Sequence, residues 1–548
     1  MAGMRIGQWI QQSWKFSLSA CLTGLCLASL LGVVASTAHA GPPKGSGSDS
    51  KSADKAADKA DEPKEKKEDI EASEKTAAEL FAKLSPDSKK GEYADIGKAI
   101  RLFITDRKID DARKSLTDAK RKNPKLPPVS MMLVRMLVAF GQQQTNQGAQ
   151  QQLIQAARAE LEKCVLDNPA DPDAYIFMAE IALQQQEITA ADLLLREAER
   201  LLPGFKENDD RLKDCQNRAN AAMSAVNESR EQWTEAKRRL DAWVAADPKS
   251  APGQQRLAGV LVQLGKINDA QTALEAAAKQ DDTIIHPAAL VGILCQQAAN
   301  RLTEDKDKER AKSLKDEAAA RMGKAFVALR AEKPATIETK DSEEEAKKKK
   351  TINERNLRCL LAIADFYLVA GDADNLKRAA FVSDAALGFD PKSVEAKIQR
   401  GIVARFQKDP VAAEKYLGEA QQLSPSAFMA TNHLAIVLAE EENNKEKLQR
   451  ALEFAAMNQR QYPKNPEAAA TLGWVLYKNG DKFNASKALD AAASSGSLSA
   501  DSAYYAAVIL ADNGRKPDAI RLLDAAGKTT IPFFHKDAAK KLLDKLQE

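Results

Sequence analysis

One stretch of the sequence, residues 472–492 (LGWVLYKNGDKFNASKALDAA), contains two apolar stripes on either side of Gly480. Within each stripe the apolar residues recur at spacings of three and four, which is the spacing of one face of an α-helix. Glycine ends a helix readily, because it has no side chain to oppose a positive φ. The stretch therefore predicts two helices joined by a tight turn.

The same pattern returns thirty-four residues later. Gly480 is followed at that distance by Gly514, and Ala485 by Ala519. Equivalent matches occur upstream, mostly at the same spacing, and an alanine marks the second helix of every unit. These alanines are Ala112, Ala157, Ala191, Ala236, Ala270, Ala379, Ala413, Ala451, Ala485 and Ala519. A period of this length predicts a repeat architecture.

The repeat has a simple physical basis. One helix pair cannot bury its apolar stripe alone, so successive pairs must stack to share a continuous core. Small residues in the second helix let two helix backbones approach closely. Prolines such as Pro248 and Pro391 then end that helix and turn the chain into the next unit. Aromatic residues are only 5% and charged residues 29%, which is typical of helical arrays. The predicted fold class is all-α, a solenoid of antiparallel helix pairs.

These residues resemble the tetratricopeptide repeat (TPR). The resemblance is carried by Leu472, Gly473, Leu476, Gly480, Asp481, Ala485, Leu489 and Ala492. With the alanines in register, the units lie at 93–126, 138–171, 172–205, 217–250, 251–284, 360–393, 394–427, 428–465, 466–499 and 500–533. The resemblance implies a right-handed superhelix whose first helices line a concave groove that binds protein segments.

The resemblance also implies which residues face the groove, since the family uses set positions of the first helix for contacts. The candidate groove residues are Arg405, Phe406, Trp474, Tyr477, Lys478 and Tyr504. Aromatic side chains are favoured contact anchors, although the rings of Trp474, Tyr477 and Tyr504 can also pack between helices. The Lys, Asn and Arg set by which some family members hold an acidic C-terminus is not found at these positions, so the sequence does not support that mode of binding.

Two parts of the array depart from the repeat. Residues 286–334 fit a helix pair with lengthened helices. Residues 335–350 are highly charged, and three glutamates at 343–345 precede three lysines at 347–349 by four residues, a favourable order for ion pairs on a helix. An exposed helical extension and a disordered insert both fit this stretch. We predict an N-terminal array at 91–334, a charged insert at 335–352, a C-terminal array at 353–533 and a capping helix at 534–548.

The beginning of the chain has a different composition. Arg5 and Lys15 precede an uncharged run at 16–34, and Ala38 and Ala40 are the small residues that a signal peptidase requires. We predict a signal peptide at 1–40 and an exported chain, periplasmic or secreted. The alternative is an uncleaved segment at 16–34 that tethers the chain to the inner membrane. Residues 41–90 have little to bury and are predicted to form a disordered mixed-charge linker.

Motifs of catalytic chemistry are missing from the sequence. It contains no G-x-x-x-x-G-K-[ST], no H-E-x-x-H and no G-x-S-x-G. His286, His433 and His535 are far apart, and we expect each at the surface or a helix end with nothing paired to it. Metal-site spacing is also missing, and the four cysteines that follow the predicted signal peptide are expected to be free thiols: Cys164, Cys215, Cys295 and Cys359. We predict no enzyme activity, no catalytic residue, no cofactor and no metal.

Two classes of function remain. The 81 basic and 78 acidic residues leave a formal net charge of +3, which gives no basic field for nucleic acid. We expect a protein or peptide partner, bound by a non-catalytic scaffold or adaptor of the bacterial cell envelope. The alternative is a solenoid that binds a glycan or polysaccharide by stacking sugars on the groove aromatics. The sequence does not identify the partner.

Overall fold

The structure is a computed structural model. It describes residues 94–106, 109–143, 147–206, 208–302, 307–441, 444–494, 498–529 and 531–548. Within these ranges all regular secondary structure is helical, and the helices pack in adjacent pairs, as the all-α solenoid prediction requires. The predicted signal peptide and linker, and the possible membrane anchor, lie outside the described residues. None of the helices in the described ranges is long and apolar enough to cross a bilayer.

The described chain divides into two compact units, residues 94–260 and 261–548. The helices that begin in the first unit are α1 (Ala94–Asp106), α2 (Ile109–Lys122), α3 (Val129–Gln143), α4 (Gln147–Asp167), α5 (Pro172–Gln184), α6 (Ile188–Leu201), α7 (Asp209–Ser229), α8 (Trp233–Ala246) and α9 (Ala251–Gln263). The unit boundary falls inside α9. A short 3₁₀ helix, Leu202–Gly204, follows α6.

The second unit contains fourteen further helices among its described residues. They are α10 (Ile267–Ala278), α11 (Pro287–Arg301), α12 (Lys308–Ala331), α13 (Glu343–Ala370), α14 (Ala373–Phe389), α15 (Val394–Phe406), α16 (Pro410–Leu423), α17 (Phe428–Glu440), α18 (Lys445–Gln461), α19 (Pro466–Lys478), α20 (Lys482–Ser494), α21 (Ala500–Asp512), α22 (Lys516–Gly527) and α23 (Lys536–Gln547). From α11 to α22, each odd-numbered helix packs against the next even-numbered one.

Side-chain caps and turn glycines set the helix boundaries. Asn465 accepts a hydrogen bond from the backbone N–H of Glu467 at 3.0 Å, and Pro466 occupies the first turn, where no backbone N–H is needed. At the other end of α19, Gly480 has a φ of 84°, which favours glycine. Gly480 thus forms the turn that its position between the two apolar stripes predicts.

The alanines of the repeat form the contact between paired helices. All ten registering alanines are fully buried, which confirms their predicted packing role. In two pairs the first helix contributes a glycine to this contact: a Cβ added to Gly473 would lie 2.8 Å from Leu489 Cγ, and one added to Gly401 would lie 2.6 Å from Leu417 Cγ. Small residues on both helices therefore allow the close approach.

The charged stretch after α12 contributes to a long helix. α13 begins at Glu343, where Ser342 and Glu345 form a reciprocal capping box. Glu345 accepts a hydrogen bond from the Ser342 N–H at 2.9 Å, and Lys349 pairs with Asp341 at 2.7 Å. Glu345 therefore bonds to Ser342 in the cap. Lys349 pairs with Asp341, which precedes the helix, and not with Glu345. Residues 343–350 adopt the helical alternative, while the predicted domain boundaries around them stay predictions.

Candidate functional site

The first helices of successive pairs in residues 343–512 share one inner surface, which we call the groove. α13 contacts α15, α15 contacts α17, α17 contacts α19, and α19 contacts α21. A cavity of about 140 Å³ opens on this surface, and its walls include Asp365, Ile402, Asn432, Glu467 and Tyr505, contributed in turn by these five helices. The groove is therefore formed by helices that are far apart in sequence.

Residues 531–535 form a short non-helical segment that lies between α22 and α23 in the sequence. This segment lies in the groove. We call it the closing segment. Pro532 packs against the turn after α13, where a Cβ on Gly371 would approach Pro532 Cβ to 3.2 Å. Phe533 is buried. The Phe534 ring meets the Phe406 ring edge-on, with ring centroids 6.2 Å apart. The groove therefore holds a segment of its own chain.

The closing segment is anchored by hydrogen bonds to Asp501 at the start of α21. The backbone N–H groups of Phe534 and His535 donate to the Asp501 carboxylate at 3.2 and 3.1 Å. His535 Nδ1 lies 2.9 Å from Asp501 Oδ1, and His535 Nε2 lies 3.1 Å from Glu440 Oε1. Both ring nitrogens thus face carboxylates, an arrangement that suits the protonated imidazolium.

His535 and the carboxylates beside it stabilise each other's charged forms. Burial alone would lower the pKa of His535, but its hydrogen bonds to Asp501 and Glu440 raise the pKa above the usual value. Burial would raise the pKa of Asp501, yet the hydrogen bond from His535 and the charge of Arg405 lower it to about 2. The expectation that nothing pairs with His535 is wrong. His535 does lie at a helix end, but the chain folds this end back onto two carboxylates.

Arg405 is the central cation of the groove. Its side chain is 5% exposed, its Nη2 donates to Glu440 Oε1 at 2.8 Å, and the same atom lies 3.2 Å from Tyr505 Oη. The guanidinium carbon lies 4.3 Å from the centre of the Phe534 ring, a cation–π contact. Burial opposes its charge, but the Glu440 carboxylate raises the pKa of Arg405. Arg405 thus joins α15, α17, α21 and the closing segment.

Aromatic rings form the other wall beside the closing segment. Trp474 stacks on Tyr505 with ring centroids 4.6 Å apart and on Tyr477 with centroids 5.8 Å apart. Tyr504 stacks on the His535 ring at 4.7 Å. Trp474 is 5% exposed. Most of its surface is therefore covered by other side chains of this unit.

In the structure the six predicted groove residues fall into three pairs with different surroundings. Arg405 and Phe406 contact Phe534, and Trp474 and Tyr504 contact His535. Tyr477 and the exposed Lys478 lie at the rim: the Tyr477 hydroxyl donates to Asp512 at 2.7 Å, and Lys478 Nζ lies 5.1 Å from the centre of the Trp474 ring. Their role in binding a partner stays a prediction.

The six candidates leave out four groups of this site: Glu440, Asp501, Tyr505 and His535. Glu440 is at the last groove position of its unit, counted from Phe428, so the repeat register could have identified it. Tyr505 directly follows a candidate residue. His535 comes after the last predicted unit, and no periodic signal places it in the groove.

The first unit contains a different buried polar cluster. Asp173 on α5 is 1% exposed and pairs with Arg218 of α7 at 2.5 Å and with Arg135 of α3 at 3.1 Å. Arg218 also pairs with Glu180 at 2.8 Å. Burial would raise the pKa of Asp173, but the neighbouring guanidinium charges lower it. These ion pairs connect α3, α5 and α7, which are consecutive first helices, and their charges are buried together. We therefore interpret this cluster as a structural one that holds the helices together.

Outside the groove, the described ranges contain no metal site and no exposed thiol. No group of His, Cys, Asp and Glu residues there has the arrangement of a metal site. Cys164, Cys215, Cys295 and Cys359 are free and buried, in agreement with the prediction for these thiols. The groove therefore remains the main candidate for function.

Comparison with known proteins supports the repeat assignment. Residues 470–529 match the tetratricopeptide repeat family, which confirms the resemblance drawn from Leu472 to Ala492. These matched residues include all of α20, α21 and α22 and most of α19. No curated protein matches the sequence.

Several solved structures resemble the chain in part. They include a tetratricopeptide repeat protein from Parabacteroides merdae ATCC 43184 (14% identity, 55% of this chain and 99% of that one, TM-score 0.36), yeast Tom70 (17%, 69% and 88%, 0.28) and YrrB, described as a TPR protein with an unusual peptide-binding site (22%, 32% and 89%, 0.23). With identities below 25% and TM-scores below 0.5, these likenesses add nothing to the repeat assignment.

Proposed function

We propose that this protein is a non-catalytic interaction scaffold that binds a segment of a partner protein in the groove. The observation that carries the proposal is the closing segment, a non-helical stretch that lies on the first helices and is held through both its backbone and its side chains. Phe534 and His535 donate backbone hydrogen bonds to Asp501, while their rings contact Arg405 and Tyr504. A partner segment with similar groups could use the same contacts.

The aromatic stack favours a protein partner over a glycan. A sugar that stacks on tryptophan needs an open ring face. The Trp474 ring is stacked on both Tyr477 and Tyr505 and is only 5% exposed. Trp474 therefore contributes to the packing of the groove wall, which weakens the alternative of a glycan-binding solenoid.

The proposed place of action is the bacterial cell envelope. Support comes from the sequence pattern at residues 1–40, with its basic start, uncharged run and Ala38–Ala40 site. Intact mass of the chain purified from the envelope tests this part: cleavage after Ala40 is expected. A mass that retains the first forty residues would favour a membrane tether, and recovery of the chain from the cytoplasm alone would contradict the proposal.

A site-specific crosslinking experiment tests groove binding. A photoreactive amino acid replaces Lys478, which is exposed at the groove rim. The matched control carries the same amino acid at Phe483, which is 80% exposed on the second helix of the same pair. We expect a discrete protein adduct from position 478 that position 483 does not give. Identical adducts from both positions, or no adduct from position 478 in cells, would contradict groove binding.

A further inference from the structure

The cavity beside the closing segment contains a carboxyl group that the groove contacts described above do not use. Asp365 on α13 lines the cavity and is 7% exposed. No hydrogen bond or ion pair from the described part of the chain reaches this carboxyl group, and burial raises its pKa to about 7. Burying an acid without a partner is unfavourable, because the ionised form loses its hydration.

A second unpartnered group faces the same cavity. Asn432 on α17 is 5% exposed, and its side-chain oxygen Oδ1 is buried without a hydrogen-bond donor among the described residues. Buried amide oxygens in folded proteins are nearly always hydrogen-bonded, so an orphaned one requires an explanation. Asp365 and Asn432 together offer hydrogen-bond acceptors and no cation to satisfy them.

The guanidinium and the other carboxylates of the cavity are already engaged. Arg405 pairs with Glu440, and Asp501 holds the closing segment. Glu467 accepts hydrogen bonds from the Ser499 N–H at 2.7 Å and from the Ser502 hydroxyl at 2.9 Å. Asp365 is thus the carboxyl group of the cavity that is left for a ligand. The remaining walls are largely apolar and include Leu368, Val369, Ile402, Met429 and Ile436.

The size and lining of the cavity suit one type of side chain. A cavity of about 150 Å³ accommodates a benzene-sized molecule, and this one has about 140 Å³. A lysine side chain brings five heavy atoms beyond Cα, with an apolar stem and a compact ammonium that has three donors. Arginine would bring a larger planar fork that needs more acceptors than two residues provide.

We propose that this cavity receives a lysine side chain of the partner segment, with the stem along the apolar wall and the ammonium donating to Asp365 and Asn432. That the ammonium belongs to a lysine of a partner protein rests on the proposed function. The preference of the cavity for an alkylammonium group over an apolar chain is a property of the cavity itself and can be measured alone.

The test uses two small probes and the full chain. Nα-acetyl-lysine N-methylamide and its norleucine analogue, which lacks the ammonium, are titrated with saturation-transfer NMR. We expect the lysine probe to bind about tenfold or more tightly, since hydrogen bonds to a buried carboxylate are among the strong ones. Asp365→Asn should abolish that preference, whereas Asp374→Asn, on an exposed side chain, should keep it.

A second variant guards against a folding defect in the first. Asn432→Ala removes the other acceptor and should weaken lysine binding severalfold without affecting the norleucine analogue. Equal affinity of the two probes for the unmodified protein, or a lysine preference that survives Asp365→Asn, would overturn the pocket. If a partner is still captured from position 478 in that case, groove binding stands and only the lysine pocket fails.

Discussion

Gly473 lies where the two helices of a pair pack against each other. A Cβ at this position would lie 2.8 Å from Leu489 Cγ and 3.2 Å from the Ala485 carbonyl oxygen. Real Cβ atoms do not approach other atoms this closely, so Gly473→Ala must push α19 and α20 apart. We expect the free energy of unfolding to fall by about 1–3 kcal/mol, the usual effect of overpacking, as measured by urea denaturation.

Gly418→Ala is the matched control for this substitution. Gly418 lies within α16, and a Cβ there would meet nothing within 4 Å. Alanine favours the helix more than glycine does, so this variant should gain up to about 1 kcal/mol. Equal changes in the free energy of unfolding for the two variants would show that close helix packing at position 473 does not require glycine.

At the scale of an element, the closing segment should respond to pH. His535 has a raised pKa in the folded protein. Its stabilising contribution is therefore complete below the unfolded value of about 6.5 and is lost as the pH rises through the folded-state pKa. Asp501 and Glu440 have lowered pKa values, so their contributions are lost only in acid, well below this window. Docking of the closing segment should therefore weaken as the pH rises above about 6.5.

Hydrogen exchange can measure this effect. Protection factors for the amides of Phe534 and His535, which donate to Asp501, should decrease over that range after correction for intrinsic exchange. In His535→Gln the pH dependence should disappear, because glutamine does not titrate. Unchanged protection in the unmodified protein across this window would refute a role for the imidazolium.

The helical elements were far easier to predict than the closing segment. The second-helix alanines repeat along the sequence because every helix pair meets the same packing constraint, so their burial follows from periodicity. The closing segment is a single short loop with no counterpart in other units. Its position depends on how far the stacked helices curve, which is the sum of many small rotations between neighbours. The local sequence therefore does not predict where the closing segment lies.

The candidate groove residues show the same limit. Arg405 and Trp474 follow from the repeat register, which places them on first helices. The register cannot say that Arg405 reaches Tyr505, a residue 100 positions away, or that Trp474 is covered by neighbouring rings. Sequence therefore predicted which helices carry these residues, and the structure was needed to identify which side chains meet.

At the scale of the whole molecule, the thiols should be inert in the folded state. Cys164, Cys215, Cys295 and Cys359 are buried and free. Burial raises the pKa of Cys164, Cys295 and Cys359 to about 12 and also raises that of Cys215. Since the thiolate is the reactive form, we expect almost no alkylation of these four residues by iodoacetamide at pH 8.

Denaturation provides the contrast for this prediction. In urea all four thiols should become modified, as counted by peptide mass spectrometry, and addition of a reductant before alkylation should not increase the count. Rapid labelling of the native protein at any of the four would show that the solenoid opens at that repeat. An increase after reduction would reveal a disulfide.

The closing segment also has a consequence for the order in which the chain assembles. In a plain stack of repeats each helix pair contacts its neighbours, so pairs can fold one after another as the chain emerges, N-terminal pairs first. Residues 531–535 are made after all the helices that line the groove, α13 to α21. Until they emerge, Arg405, Phe406 and Tyr504 have no Phe534 or His535 to contact. A partner present before residues 531–535 emerge therefore meets an open groove, whereas one that arrives later must compete with the closing segment.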